Sequence, residues 1–156
     1  MVQPVKDNIE GHMRRAAATL AICLFGMEHA AAEQFGTFDC VSYSDFANAS
    51  VKTALMRIGN FSINEKLAGT DLKSAGLLLA YAATNETSGL VYLASDFILL
   101  DAQGAPLAAI NASPRKLFVE AGKSMIVDGS TIASAGTLAM ARKVCIRIYL
   151  SVPARK

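Results

Sequence analysis

The sequence predicts an all-β protein, an antiparallel sandwich or barrel behind an N-terminal helical leader. Three observations lead there. From Ala54 onward, short runs rich in β-branched and aromatic residues recur roughly every ten residues, separated by clusters of Gly, Asn, Asp and Ser. Between those runs stand residue types that close hairpins. In the last run Val144, Ile146, Ile148 and Leu150 alternate with Lys143, Cys145, Arg147 and Tyr149, as a strand with one buried face requires.

From the N-terminus, the stretch RRAAATLAICLFGMEHAAAEQFG (residues 14–36) has the parts of a secretory signal. Arg14 and Arg15 give a positive region, Ala16 to Met27 an apolar run of twelve residues, and Ala30-Ala31-Ala32 a small-residue site ahead of Glu33. Twelve residues at about 1.5 Å each make roughly 18 Å of helix, short of the roughly 30 Å of a bilayer core. Cleavage between Ala32 and Glu33 is therefore expected, with Met13 an alternative start. Cys23 sits in mid-run behind the bulky Ile22, whereas a lipid-acceptor cysteine follows a small residue; it reads as an ordinary apolar residue. Three segments result: a leader over 1–32, an N-terminal extension over 33–53 and a sandwich domain over 54–156.

Loss of the leader leaves 124 residues with 12 Lys/Arg against 10 Asp/Glu. A charge of +2 is too weak for a nucleic-acid partner, which calls for a dense basic face. His12 and His29 depart with the leader and Trp is absent, so His-based triads, His acid–base chemistry and His ligation are excluded from the mature chain. The sequence has no C-x-x-C pair, Gly-rich phosphate loop, G-x-S-x-G elbow or dinucleotide fingerprint. Neither enzymatic activity nor a cofactor is expected.

Within the mature chain the segment SDFANASVKTALMRIG is ambiguous. Ala47, Val51, Ala54, Leu55 and Ile58 have helical spacing, and the reading is a short helix or turn near Phe46 to Lys52 that runs into a strand. The strand candidates then follow in order: Leu55–Ile63, Leu77–Thr84, Leu90–Asp101, Ala105–Ile110, Arg115–Val119, Ser124–Ile132 and Arg142–Val152. In Asp101-Ala102-Gln103-Gly104 the aspartate suits the first position of a type I turn and the glycine the fourth. Asp128-Gly129 is a second hairpin signal, and Gly122 and Gly136 mark further reversals. Pro106 and Pro114 belong in connections or at edges.

The stretch GLLLAYAATNETSGLVYLASDFILLDAQGAP (residues 76–106) resembles the telokin-like immunoglobulin-fold domains of exported bacterial proteins. An apolar strand ending in Asn at a turn precedes a strand of the form D-F-x-L-x-D-x-x-G; here these are Asn85, Asp96, Phe97, Leu99, Asp101 and Gly104, with Gly122 and the final Val152-Pro153 in the later positions. The similarity spans about Leu55 to Pro153. It implies an immunoglobulin-like sandwich at the cell envelope and transfers no active site.

The candidate functional residues are few. Cys40 and Cys145 are the two mature cysteines, and in an oxidising compartment a bridge between them would close a loop of about 105 residues, roughly 4 to 5 kcal/mol by chain entropy. Two free thiols are the alternative. Cys145 should face away from the core, so the bridge would pin the N-terminal segment across the polar face of the last strand. Lys143, Arg147 and Tyr149 share one strand face and would suit an anionic or acidic partner, or be a solvated surface. Asp96 and Asp101 are read first as turn residues and second as carboxylates for an ion such as calcium, although the sequence has no D-x-D-x-D-G loop. The Asn-x-Ser/Thr triplets at Asn48, Asn60, Asn85 and Asn111 matter only in a eukaryotic secretory route. The expectation is an exported, non-enzymatic module that binds another envelope or extracellular protein, by strand addition or side-chain contact, with at most peripheral membrane association. A small-ligand or calcium-binding protein is the alternative.

Overall fold

The computed structural model describes residues 34–68 and 73–153. The expected leader, with Cys23, both histidines and the Ala32–Glu33 cleavage point, lies outside them. The elements are β1 (Gln34–Phe35), β2 (Asp39–Ser42), a 3-10 helix (Tyr43–Asn48), β3 (Ser50–Lys52), β4 (Met56–Ala68), β5 (Ser74–Asn85), β6 (Val91–Leu100), β7 (Pro106–Ala112), β8 (Phe118–Val119), β9 (Ser124–Ser134), a one-turn helix α1 (Thr137–Met140) and β10 (Lys143–Ser151). The fold is all-β, as the alternation and turn chemistry require.

The strands form one antiparallel sheet in the order β1-β10-β6-β7-β9-β5-β4-β3, with β2 following β1 along β10 and β8 pairing β6. The sheet curls until its two halves face each other across a shared core, giving a sandwich-like body. Strict alternation sets that core. On β5 the inward residues are Ala75, Leu77, Leu79, Tyr81 and Ala83; on β6 they are Val91, Leu93, Ser95, Phe97 and Leu99. Each fully buried Leu, Val or Phe contributes about 1.5–3 kcal/mol of apolar transfer. Phe46, Phe61, Tyr81 and Phe97, drawn from four elements, meet with ring centroids 5.2–6.3 Å apart. One polar tie crosses this core: the Tyr81 hydroxyl lies 2.7 Å from Ser95 Oγ, which donates to the Ala112 carbonyl at 3.0 Å.

Several local expectations change. The helical segment is Tyr43–Asn48, earlier than Phe46–Lys52, because Phe46 must reach the core and Val51 must pair with Ile58 on β4. Residues 39–52, expected as an extension, are strands and core of the same sheet. The apolar phase of β4 slips between Ile58 and Phe61, both buried, because a bulge at Asn60 (φ 56°) inserts one residue against β5.

Asp128-Gly129 is not a turn. It lies in the middle of β9, where Gly129 pairs with Ala112 of β7, and a Cβ there would stand 2.2 Å from the Asn111 carbonyl oxygen. Glycine is required by the close approach of two backbones rather than by a reversal. The Asp101 turn forms as expected: Gly104 (φ 83°) donates its N–H to the Asp101 carbonyl, and Asp101 Oδ1 accepts from the N–H groups of Gln103 and Ala105 at 2.9 and 2.8 Å.

Candidate functional site

Cys40 and Cys145 are bonded, and they are register partners on neighbouring antiparallel strands, with Cα atoms 3.9 Å apart. Cys145 is buried yet stands outside the core cluster, so its side chain is on the outer face as the alternation requires. The bridge therefore ties β2 alongside β10 as an edge strand; it does not lie across the polar face. The chain from Gln34 to Ser42 thus follows β10 from Leu150 back to Lys143, and Gly36 donates to the Ile148 carbonyl at 3.3 Å.

This arrangement leaves two sheet edges. Among the described residues β1 and β2 have no strand neighbour beyond β10, and β3 has none beyond β4. The short 3-10 helix connects the two edges, so they flank one groove of about 600 Å³. Ile146, Ile148 and Leu150 of β10 form its apolar floor, Val41 and Val51 its sides, and Asp39 and Lys52 its charged rim. The Thr53 N–H donates to the Met56 carbonyl at 2.9 Å. Since backbone groups alternate in direction along an antiparallel strand, the Lys52 N–H points away from β4 and toward the groove. The groove thus combines backbone hydrogen-bonding edges with apolar space.

A second cluster lies on the outer face of β10, β6 and β7. Asp96 Oδ2 accepts from Arg147 Nη2 at 2.7 Å, from Arg147 Nε at 3.1 Å and from the Tyr149 hydroxyl at 2.8 Å, while Asn111 Nδ2 donates to Asp96 Oδ1. The guanidinium stands 4.3 Å from the Phe38 ring centroid and 4.9 Å from that of Tyr149. Burial acts to raise the Asp96 carboxyl, but the hydrogen bonds from Arg147, Tyr149 and Asn111, with the Arg147 charge, hold it below the usual carboxylate range. Burial and the bond to Asp96 push the Tyr149 phenol up.

The structure therefore joins three sequence-predicted residues, Asp96, Arg147 and Tyr149, into one self-neutralised cluster. Arg147 is committed to Asp96 and does not act as a free basic group. Lys143, the third member of the expected basic face, is exposed near the other end of β10 and makes no ion pair among the described residues. Asp101 is a turn residue at the opposite end of β6 from Val91, with Oδ1 taken by two backbone N–H groups. Among the described residues there is no group of three or more His, Cys, Asp or Glu arranged to hold a metal ion. No described helix is long and apolar enough to cross a membrane.

Asn85 ends β5 as the sequence pattern suggests, and its role is structural. It is buried, its Nδ2 donates to the Gly89 and Val119 carbonyls at 2.7 and 2.9 Å, and its Oδ1 accepts from Thr87. Sequence reasoning missed Phe38 and Asn111 in the outer cluster and both walls of the groove. Strands as short as β2 and β3 carry too few residues for a period of two to register. No protein-family model, curated protein or solved structure matches this chain.

Proposed function

We propose that this protein is an exported, non-enzymatic binding module of the cell envelope that takes up an extended segment of a partner protein by strand addition in the groove between β2 and β3. The observation that carries the reading is the groove itself: two strand edges flanking an apolar floor of Ile146, Ile148 and Leu150. An added strand gains main-chain hydrogen bonds from the edges and buries alternate side chains on the floor. The partner segment is thus one with apolar residues at every second position and polar residues between them. The Cys40–Cys145 bridge supports export, since disulfides persist in oxidising compartments. The leader pattern and the resemblance to telokin-like envelope domains point the same way. The alternative of a calcium site on Asp96 and Asp101 has less support, because both carboxylates are already engaged within the fold.

The test uses Lys52→Pro, which removes a groove-facing N–H while sparing the β4 ladder and the disulfide. Immobilised wild-type protein should retain one envelope protein in stoichiometric amount, and Lys52→Pro should lose it with an unchanged Tm. Retention by Lys52→Pro, or a calcium-dependent rise in Tm with no partner recovered, refutes the reading.

A further inference from the structure

The ladder between β7 and β9 closes at Ala112–Gly129, and beyond it the sheet parts: β8 pairs with β6, while Ser124–Asp128 of β9 pair with β5. A cavity of about 350 Å³ occupies this parting, a volume at the lower end of small-ligand pockets. Pro114, Phe118, Val119, Met125 and Ile126 give it apolar walls. Met125 and Ile126 point to opposite faces of β9, so the cavity reaches around the open edge of that strand. Ile126 is 65% exposed, a β-branched apolar side chain left in water beside an apolar cavity.

Two further observations bear on a ligand. Leu117 has φ 63°, a left-handed conformation that is costly for a leucine, in the turn closed by its N–H on the Pro114 carbonyl at 2.7 Å. That strained turn sets the orientation of Phe118 at the cavity wall. The charged lining is uneven as well. Lys116 is paired with Glu120 at 3.7 Å, whereas Arg115, Lys123 and Asp128 have no ion pair among the described residues, leaving two cations against one acid.

We infer that this parting is a second binding site, for a small amphiphile with a hydrocarbon body and an anionic head, such as a medium-chain carboxylate. The hydrocarbon takes the space between Phe118 and Ile126, and the head meets Arg115 and Lys123. The site is independent of the groove between β2 and β3, so either reading can fail without the other.

Decanoate, decanol and decyltrimethylammonium, each below its aggregation threshold, should be titrated into the full mature protein and followed by the backbone amide NMR signals of Val119, Met125 and Ile126. Decanoate should bind most tightly and the cationic amphiphile most weakly. Two solvent-screened ion pairs translate into about a fivefold loss of decanoate affinity in Arg115→Ala/Lys123→Ala, with decanol unaffected. Asp128→Asn should strengthen decanoate binding. Ile126→Ser, an exposed position whose change leaves Tm intact, should weaken decanoate and decanol alike. The inference is overturned if decanoate moves none of these signals, if the three amphiphiles bind equally, or if the double variant binds decanoate as the wild type does. Cosedimentation with phosphatidylglycerol vesicles in the absence of decanoate binding would also overturn it, assigning the patch to a membrane surface.

Discussion

Gly129→Ala is the sharpest test of how the two halves of the sheet meet. The added Cβ would lie 2.2 Å from the Asn111 carbonyl oxygen and 2.8 Å from Ala112 Cβ. The obstacle is backbone, so it cannot rotate aside; β7 and β9 must separate at the residue pair that joins them. Overpacking in a well-filled site costs typically 1–3 kcal/mol, and a backbone clash belongs at the upper end. Replacing glycine returns under about 1 kcal/mol by restricting the unfolded chain. The net destabilisation is about 2 kcal/mol, or roughly 6–10 °C in Tm for a domain of this size. Gly89→Ala is the matched control, because nothing lies within 4 Å of a Cβ built there. Paired calorimetric scans of the two variants read the difference. A Gly129→Ala protein melting within a degree of Gly89→Ala would refute the close approach of β7 and β9 and the reading of Gly129 with it.

Four other outcomes follow from the same structure. Tyr81→Phe should cost about 1 kcal/mol in denaturant titration, and Ser95→Ala about 1–3, since the latter leaves the buried Tyr81 hydroxyl without its partner. Burial, against the Ser95 hydrogen bond, pushes the Tyr81 phenol up to about 12; a raised pKa contributes stability below the unfolded value of about 10 that is lost between there and 12, a loss Tyr81→Phe should not show. The Asp96 carboxyl is held low in the folded state, so its contribution is present above about pH 4 and lost as pH falls through the folded value. Acid titration of Tm should show that decline in the wild type and a flatter profile in Asp96→Asn. Replacing both Cys40 and Cys145 by Ser opens a loop of 105 residues and should lower stability by up to about 4–5 kcal/mol, and the intact mass of the native protein should show the loss of two hydrogens.

The strands β4 to β7, β9 and β10 are legible because each is long enough for its alternation to be counted, and their turns are announced by Asp101–Gly104, Gly122 and Gly136. The candidate site is legible only in part. Arg147 and Tyr149 share a face by simple period-two spacing, but Asp96 sits 51 residues from Arg147, and only the register of β6 against β10 brings them together. The sequence offers no signal for such a partner, since any exposed aspartate on a strand face looks alike.

By itself the sequence determined the all-β class, the order of the main strands and the inward set on β10, because these depend on local alternation and turn chemistry. It also presented the cysteine pair. Tertiary structure decided where the edges fall, that Cys40 stands beside Cys145 rather than across the sheet face, and that Gly129 serves a backbone contact rather than a turn. The physical reason is the same in each case. Strand pairing is a contact between distant segments, and a single strand's pattern records which face is buried but not which neighbour lies at its edge.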